Sequence, residues 1–307
     1  MFKNALIYQQ LSKPGDYYLD DLTKKMSSRA YQPTRPTQPF SLGFYPPLEE
    51  DAPENPLSIR VADFYTFAIK TETRILPPSV VRDMLEERVK AIEHSTGRKV
   101  YKKDRQTIKD DLIVDVLPRC LLKHGLIRGY IDIKRNLIVL DATSTVVAEQ
   151  CLSLIREIMG SYPVMPPVFN KRLDHTMTQW VTAHNTAPEG IAIGSDMYFR
   201  EAGDASMTVH LKGDDVSEEV LESTLANGYM AEKLRIYVNN TVWLALSTDG
   251  WKLRALKFNV KPDLHDAEEA ADRFTSELFY EASEIGMAFD VIAAAFGGFL
   301  QEQHLDL

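Results

Sequence analysis

Long apolar runs are missing from this chain: no window approaches the roughly 18 uninterrupted apolar residues that a membrane-spanning helix needs. The N-terminal MFKNALIYQQL has one Lys and an apolar stretch broken by Asn4, Gln9 and Gln10, too polar for a secretion signal and patterned as a first strand. Cysteine is scarce. Cys120 and Cys151 have no metal-ligand spacing, and both are expected as buried thiols of a reducing cytoplasm, a disulfide between them being the other option. Phosphate loops of the G-x-x-x-x-G-K and G-x-G-x-x-G types are absent, as are H-E-x-x-H and G-x-S-x-G. The histidines (His94, His124, His175, His184, His210, His265 and His304) lie apart and in no ligand pattern. The acid pairs Asp110-Asp111 and Asp214-Asp215 sit beside Lys or at an expected turn or cap, where solvation or capping explains them. Nothing here makes a positive case for catalysis, and no cofactor or metal is expected.

What is present is a regular alternation of helix and strand signals. Residues 2–11 read as a strand and 16–30 as a helix, with Tyr18, Leu22 and Met26 four apart. The proline-rich stretch 31–56 is expected as a loop or irregular arm, because Pro cannot donate to a ladder. One or two strands follow over 57–70. Pro77 and Pro78 open a helix with a stripe of Val81, Met84, Leu85, Val89 and Ile92, stopped by Gly97. A second helix starts near Asp104, with Ile108, Leu112, Ile113 and Val116 on one face, and Pro118 ends or kinks it. Strands near 126–133 and 137–142, turning at Arg135-Asn136, lead to a helix over 145–159 closed by Gly160.

The second half starts with a short helix near 174–183 and strands near 190–200 and 206–212. A helix opened by Ser217-Glu218-Glu219 ends at Asn227-Gly228. A three-strand meander then turns at Asn239-Asn240 and Asp249-Gly250. From about Asp266 a long helix carries Phe274, Leu278, Ala282, Ile285, Phe289, Ile292 and Phe296 on one seam, which packs on the sheet or on a second copy of itself. The expected class is α+β, with mixed, largely antiparallel sheets and flanking helices. The expected organisation is an N-terminal α/β region (1–74 and 124–170), a helical basic insertion (75–123) and a C-terminal α/β region (171–307).

Charge is distributed unevenly. Between Gly97 and Asn136 there are 11 Lys and Arg against 5 Asp and Glu, a net of +6, while the whole chain is at −9; everything outside that stretch therefore sums to −15. Arg98, Lys99, Lys102, Lys103, Arg105 and Lys109 form the junction, and Lys102, Arg105 and Lys109 step by three and four along one helix side. A second cluster lies in the meander. Lys233 and Arg235 share a face opposite Leu234, Ile236 and Val238, and Lys252 and Arg254 oppose Trp251 and Leu253. Solvated helix and sheet faces also carry such runs. Yet positive charge concentrated in an acidic chain favours a polyanion there. No zinc finger, helix-turn-helix or aromatic RNA-binding pair accompanies it, so contacts would go to phosphates, as in non-specific duplex binding. A closed two-copy ring, basic inside and acidic outside, is one geometry that aims such a field.

MFKNALIYQQL, SLGFYPP (41–47) and ILPPSVVRDMLEERVKAIE (75–93) are followed by GRKVYKKDRQTIKDD (97–111) with LPR (117–119), by GSYPVMP (160–166) and by MTQWV (177–181). EKLRIYVNNTVWLAL (232–246), DGWKLRALKF (249–258) and the ADRF…GG tail (271–298) complete the series. In these segments, taken co-linearly, the chain resembles the RdgC family of recombination-associated proteins, the first segment being similar to the family's W-F-K-N strand but without the Trp. The resemblance implies a horseshoe-shaped protomer pairing into a ring-like homodimer around double-stranded DNA, binding without sequence preference and limiting RecA-driven exchange. It implies no enzyme activity and no cofactor, a nucleoid-associated cytoplasmic location, and RecA as a further partner. Arg98, Lys99, Lys102, Arg105 and Lys109 fall on basic family positions. Lys212 falls on a basic loop position near one dimer contact, where Leu211-Lys212-Gly213 stands in place of a Lys-Lys-Gln run. Cys120, after Arg119, stands where the family has a Phe at the other dimer contact. The competing expectation is an acidic interaction module that binds the recombinase directly through Glu49, Glu50, Asp51, Glu218, Glu219, Glu268 and Glu269 and meets DNA weakly.

Overall fold

Apolar side chains at successive positions of the first strand require cover on both faces, and the tertiary structure supplies it. In the computed structural model, which describes residues 2–12, 15–48, 55–182, 186–202, 207–213, 217–259 and 270–299, β1 (Ala5–Gln10) lies in the middle of a twelve-stranded sheet. Ala5 and Ile7 face one core, and Leu6 and Tyr8 face the other. His184, His265, His304, Asp214-Asp215, Glu49 to Asp51 and Glu268-Glu269 lie outside the described residues.

The first half continues with α1 (Asp16–Met26), β2 (Phe40–Tyr45), β3 (Ser58–Val61), β4 (Phe64–Arg74), α2 (Pro78–Thr96), α3 (Lys102–Val116), β5 (Leu122–Asp132), β6 (Leu137–Leu140), α4 (Thr145–Met159) and β7 (Val164–Met165). The second half holds α5 (Leu173–Trp180), β8 (Ile191–Glu201), β9 (Thr208–Lys212), α6 (Glu218–Ala226), β10 (Tyr229–Val238), β11 (Val242–Ser247), β12 (Lys252–Phe258) and α7 (Ala270–Ala295).

The strand order is β2-β4-β5-β6-β1-β12-β11-β10-β8-β9, with β3 on β4 and β7 on β1, and every ladder is antiparallel. The class is α+β, as the sequence implies. The two halves share one sheet rather than forming separate ones, because a short ladder, Ala5↔Leu253 and Leu6↔Lys252, joins β1 to β12. The proline-rich stretch differs from expectation: β2 occupies its proline-free window between Pro39 and Pro46, pairs along its length with β4 and meets a single-residue bridge, Ala30↔Phe44, beside it, an edge position that tolerates flanking prolines.

Two meanders flank β1. β4-β5-β6 reaches it from one side and leads into α4; β10-β11-β12 reaches it from the other and leads into α7. β6 and β12 both run antiparallel to β1, so they are parallel to each other. Their helices cover opposite faces. Ala148, Cys151, Leu152 and Ile155 of α4 pack in the core with Leu6 and Tyr8, whereas Leu278, Ala282, Ile285, Phe289 and Ile292 of α7 pack in the core with Ala5 and Ile7. The α7 seam is therefore used within the chain. Helices α5 and α6 also lie on the α7 side, through Met177, Trp180, Leu221 and Leu225. Among the described residues, no side chain of β8 to β12 belongs to the core under α1 and α4, so the face of this region away from α7 lies outside that core.

The insertion between β4 and β5 is a helical arm. Pro78 suits the first turn of α2, whose N–H groups have no intrahelical partner, and Gly97 ends the helix at φ 65°, a left-handed conformation open to a residue without a Cβ. With 19 residues, α2 spans about 28 Å at the usual helical rise. Leu85, Val89 and Leu112 form a small core of their own, with Met84, Val100, Ile108 and Val116 around it. After α3, Pro118 turns the chain through a 3-10 segment, Leu117–Arg119.

Candidate nucleic-acid interface

The arm carries the basic junction mostly in the open. Arg98, Lys99, Lys102 and Lys103 are exposed, and none of them has an ion-pair partner among the described residues. Arg105 is different. Its guanidinium donates to Glu86 on α2, so the side of α3 holding Lys102, Arg105 and Lys109 turns partly toward α2, and Lys109 is half-buried. The base of the arm is clasped by Arg74, whose Nη1 donates to the carbonyls of Leu117 (3.1 Å), Pro118 and Cys120 (both 3.5 Å), while Nη2 reaches the Arg35 carbonyl at 3.4 Å. Beside it, buried Glu72 accepts from the Thr34 backbone N–H (2.6 Å) and the Tyr31 hydroxyl (3.0 Å) and lies 3.2 Å from His124 Nδ1. Hydrogen bonds from Thr34 outweigh the cost of burial and hold the Glu72 carboxyl below its ordinary range.

The second cluster lies on the bare face of the C-terminal meander. Leu234, Ile236 and Val238 are fully buried toward α7, so strand alternation turns Lys233 and Arg235 to the opposite face. There Lys233 Nζ sits 4.4 Å from the Tyr198 ring centroid, and the Arg235 guanidinium carbon sits 5.8 Å from that of Trp243. Lys252 Nζ lies 4.7 Å from the Trp251 ring but is 2.9 Å from Asp249 and only 16% exposed, so its charge is already met. Arg254 is exposed. A bulge at Ala255 (φ 51°) places Lys257 opposite Trp243 while Arg254 stands opposite Ala245, which brings both cations to the same face. A simple period of two would send them to opposite faces, and this hides Lys257 from the sequence. Tyr198, Trp243 and Tyr237 were also missed; Tyr198 and Tyr237 stand two residues from Arg200 and Arg235, which was an available signal, whereas Trp243 has no charged residue at that spacing.

Among the described residues, the arm and the meander share no hydrogen bond or ion pair. Six strand spacings separate β4 from β10, or about 29 Å at roughly 4.8 Å each. Arg119 is exposed, and Cys120 is half-buried rather than buried, its Sγ 3.6 Å from the Val116 carbonyl. Next to them Leu121 (77% exposed), Leu122 and Ile75 form an uncovered apolar edge. Lys212 is exposed at the end of β9, opposite Asp196, on the strand that ends the sheet. Among the described residues, no group of three or more His, Cys, Asp or Glu side chains is placed to hold a metal ion, and no helix is long and apolar enough to cross a membrane.

A family model described as "RdgC: Putative exonuclease, RdgC" matches residues 1–299. The "Recombination-associated protein RdgC" of Pseudomonas putida (strain GB-1) is 30% identical over 303 residues, 97% of each chain. That of Sodalis glossinidius (strain morsitans) is 27% identical over 301 residues, again 97% of each. That of Pseudomonas entomophila (strain L48) is 32% identical over 257 residues, 84% of this chain and 83% of its own.

Proposed function

Because this chain belongs to the RdgC family of recombination-associated proteins, we propose that it binds double-stranded DNA without sequence preference, that two copies close into a ring around the duplex, and that the ring restrains RecA-dependent recombination. The observation that carries this reading is the pairing of a bare, cationic sheet face with an exposed basic arm in a chain of net charge −9. Charge gathered in this way attracts a polyanion locally while the remaining surface repels it. The candidate contacts are Lys and Arg without a base-reading element, which suits phosphate contacts.

Closure by two copies needs two separate contact sites. The apolar edge at Ile75, Leu121 and Leu122 and the end strand β9 with Lys212 supply candidates, about 38 Å apart along the sheet by strand count. The protomer would then contribute both basic clusters to a common lining.

Titration of a labelled duplex over a salt series tests the reading. With about six to ten phosphates neutralised per ring, affinity drops by about three to five powers of ten between roughly 50 and 200 mM salt. A flat response would refute it. A recombinase complex that survives nuclease treatment, with weak DNA binding, would instead favour the acidic interaction module. The reading contains no cleavage step. Incubation of linear and supercoiled DNA with Mg²⁺ or Mn²⁺ checks this, and progressive shortening from the ends would establish a nuclease.

A further inference from the structure

Two cations of the bare sheet face, Lys233 and Arg235, do not stand free; aromatic rings hold them. Lys233 lies over Tyr198, whose other neighbour is His210, stacked on it at 3.8 Å between ring centroids and 11° between planes. His210 Nε2 is in turn 2.9 Å from Asp196 Oδ1. Arg235 lies against Trp243, which stacks on Tyr237 at 4.6 Å and 14°. The Tyr237 hydroxyl donates to the Asn240 carbonyl and accepts from Asn259 Nδ2 at 2.6 Å, so the stack is braced. Gly194 provides the floor: a Cβ there would come within 2.9 Å of Trp243 Cζ3, so only a residue without one lets the indole lie across β8. Arg235 Nη1 also donates to the Ala255 carbonyl at 3.4 Å, which leaves further guanidinium donors open.

We propose that Tyr198 and Trp243 are positioning residues for phosphate binding, each holding one cation, Lys233 and Arg235 respectively, in place on the bare face before DNA arrives. This rests on the reading of that face as a DNA surface. Lys and Arg are among the side chains that lose most rotamer freedom when ordered, and ordering at the moment of binding weakens association. A ring that attracts the cation through its face has already ordered it. The two arrangements sit on neighbouring strands, β8 with β10 and β10 with β11, so one face presents two pre-ordered cations side by side.

Two double-mutant cycles on the full chain test the proposal: Trp243→Leu with Arg235→Ala, and Tyr198→Leu with Lys233→Ala. Duplex affinity is read across a salt series, and a thermal melt confirms folding. Each ring loss is expected to weaken binding about two- to fivefold per protomer, with the dependence of log affinity on log salt unchanged. Each cation loss is expected to weaken binding and reduce that slope by about 0.9 per protomer. In each cycle the double variant binds no more weakly than the cation variant alone, because the ring acts only through the cation. Trp243→Phe and Tyr198→Phe, which keep a ring, retain most of the affinity. Additive losses would overturn the proposal by showing that the ring itself meets the nucleic acid, and ring variants that bind like the parent would overturn it too. If Arg235→Ala and Lys233→Ala change neither affinity nor slope, the DNA-surface reading of this face fails instead. Should one ring variant not fold, the other cycle decides.

Discussion

Lys102 and Arg105 lie one turn apart on α3, yet only Lys102 has its charge available. Arg105 is bound to Glu86, whereas Lys102 has no ion-pair partner among the described residues. Lys102→Ala and Glu86→Gln should therefore change DNA binding in opposite directions. Each phosphate contact contributes about 0.9 to the slope of log affinity against log salt. In a two-copy ring each substitution occurs twice, so Lys102→Ala lowers the slope by about 1.8. Over a fourfold rise in salt, from roughly 50 to 200 mM, that is about one power of ten less affinity lost than by the parent. Glu86→Gln removes the charge that occupies Arg105 and steepens the slope by a similar amount. Fluorescence anisotropy with a labelled duplex, repeated on two unrelated sequences, measures both. Unchanged slopes in both variants, or a flatter slope for Glu86→Gln, would refute the assignment of the arm as a phosphate contact.

The arm's small core predicts local rather than global failure. Leu112→Ala removes one of its three buried side chains at about 2–5 kcal/mol, and hydrogen exchange should accelerate across α2 and α3 while β4, β5 and β6 stay protected. Arg74→Ala breaks the clasp on the Leu117, Pro118 and Cys120 carbonyls; faster exchange confined to 117–121 is the expected result, with little change in melting temperature. Glu72 contributes to pH dependence. Its carboxyl is held below the ordinary range in the folded state, so the stability it provides is complete above the unfolded carboxylate pKa of about 4.3 and is lost as pH falls through the folded value. Glu72→Gln should flatten the acid limb of the stability–pH curve, measured by denaturant titration, and leave neutral pH with a constant offset.

Much of the fold was legible because its signals are local. The stripe of α2, the Gly97 stop, the span of α4 and its closure at Gly160, and the Asn239-Asn240 turn each follow from residues within a few positions of one another. The alternation in β10 placed Lys233 and Arg235 on one face for the same reason. β2 was hidden because Pro density outweighed its short strand pattern, and β7, only Val164–Met165, is held by β1 rather than by any pattern of its own.

By itself, then, the sequence determined the helices and most of the strands, the α+β class, the basic arm within an acidic chain and the alternating face of the meander, because these depend on composition and short periods. Only the tertiary structure decided which of those charges remain available. Arg105 is met by Glu86 and Lys252 by Asp249, Lys233 and Arg235 rest on rings from other strands, and the Ala255 bulge turns Lys257 to their side. Availability of a charge depends on what packs within a few ångströms of it, and strand pairing and helix packing bring those neighbours from across the chain.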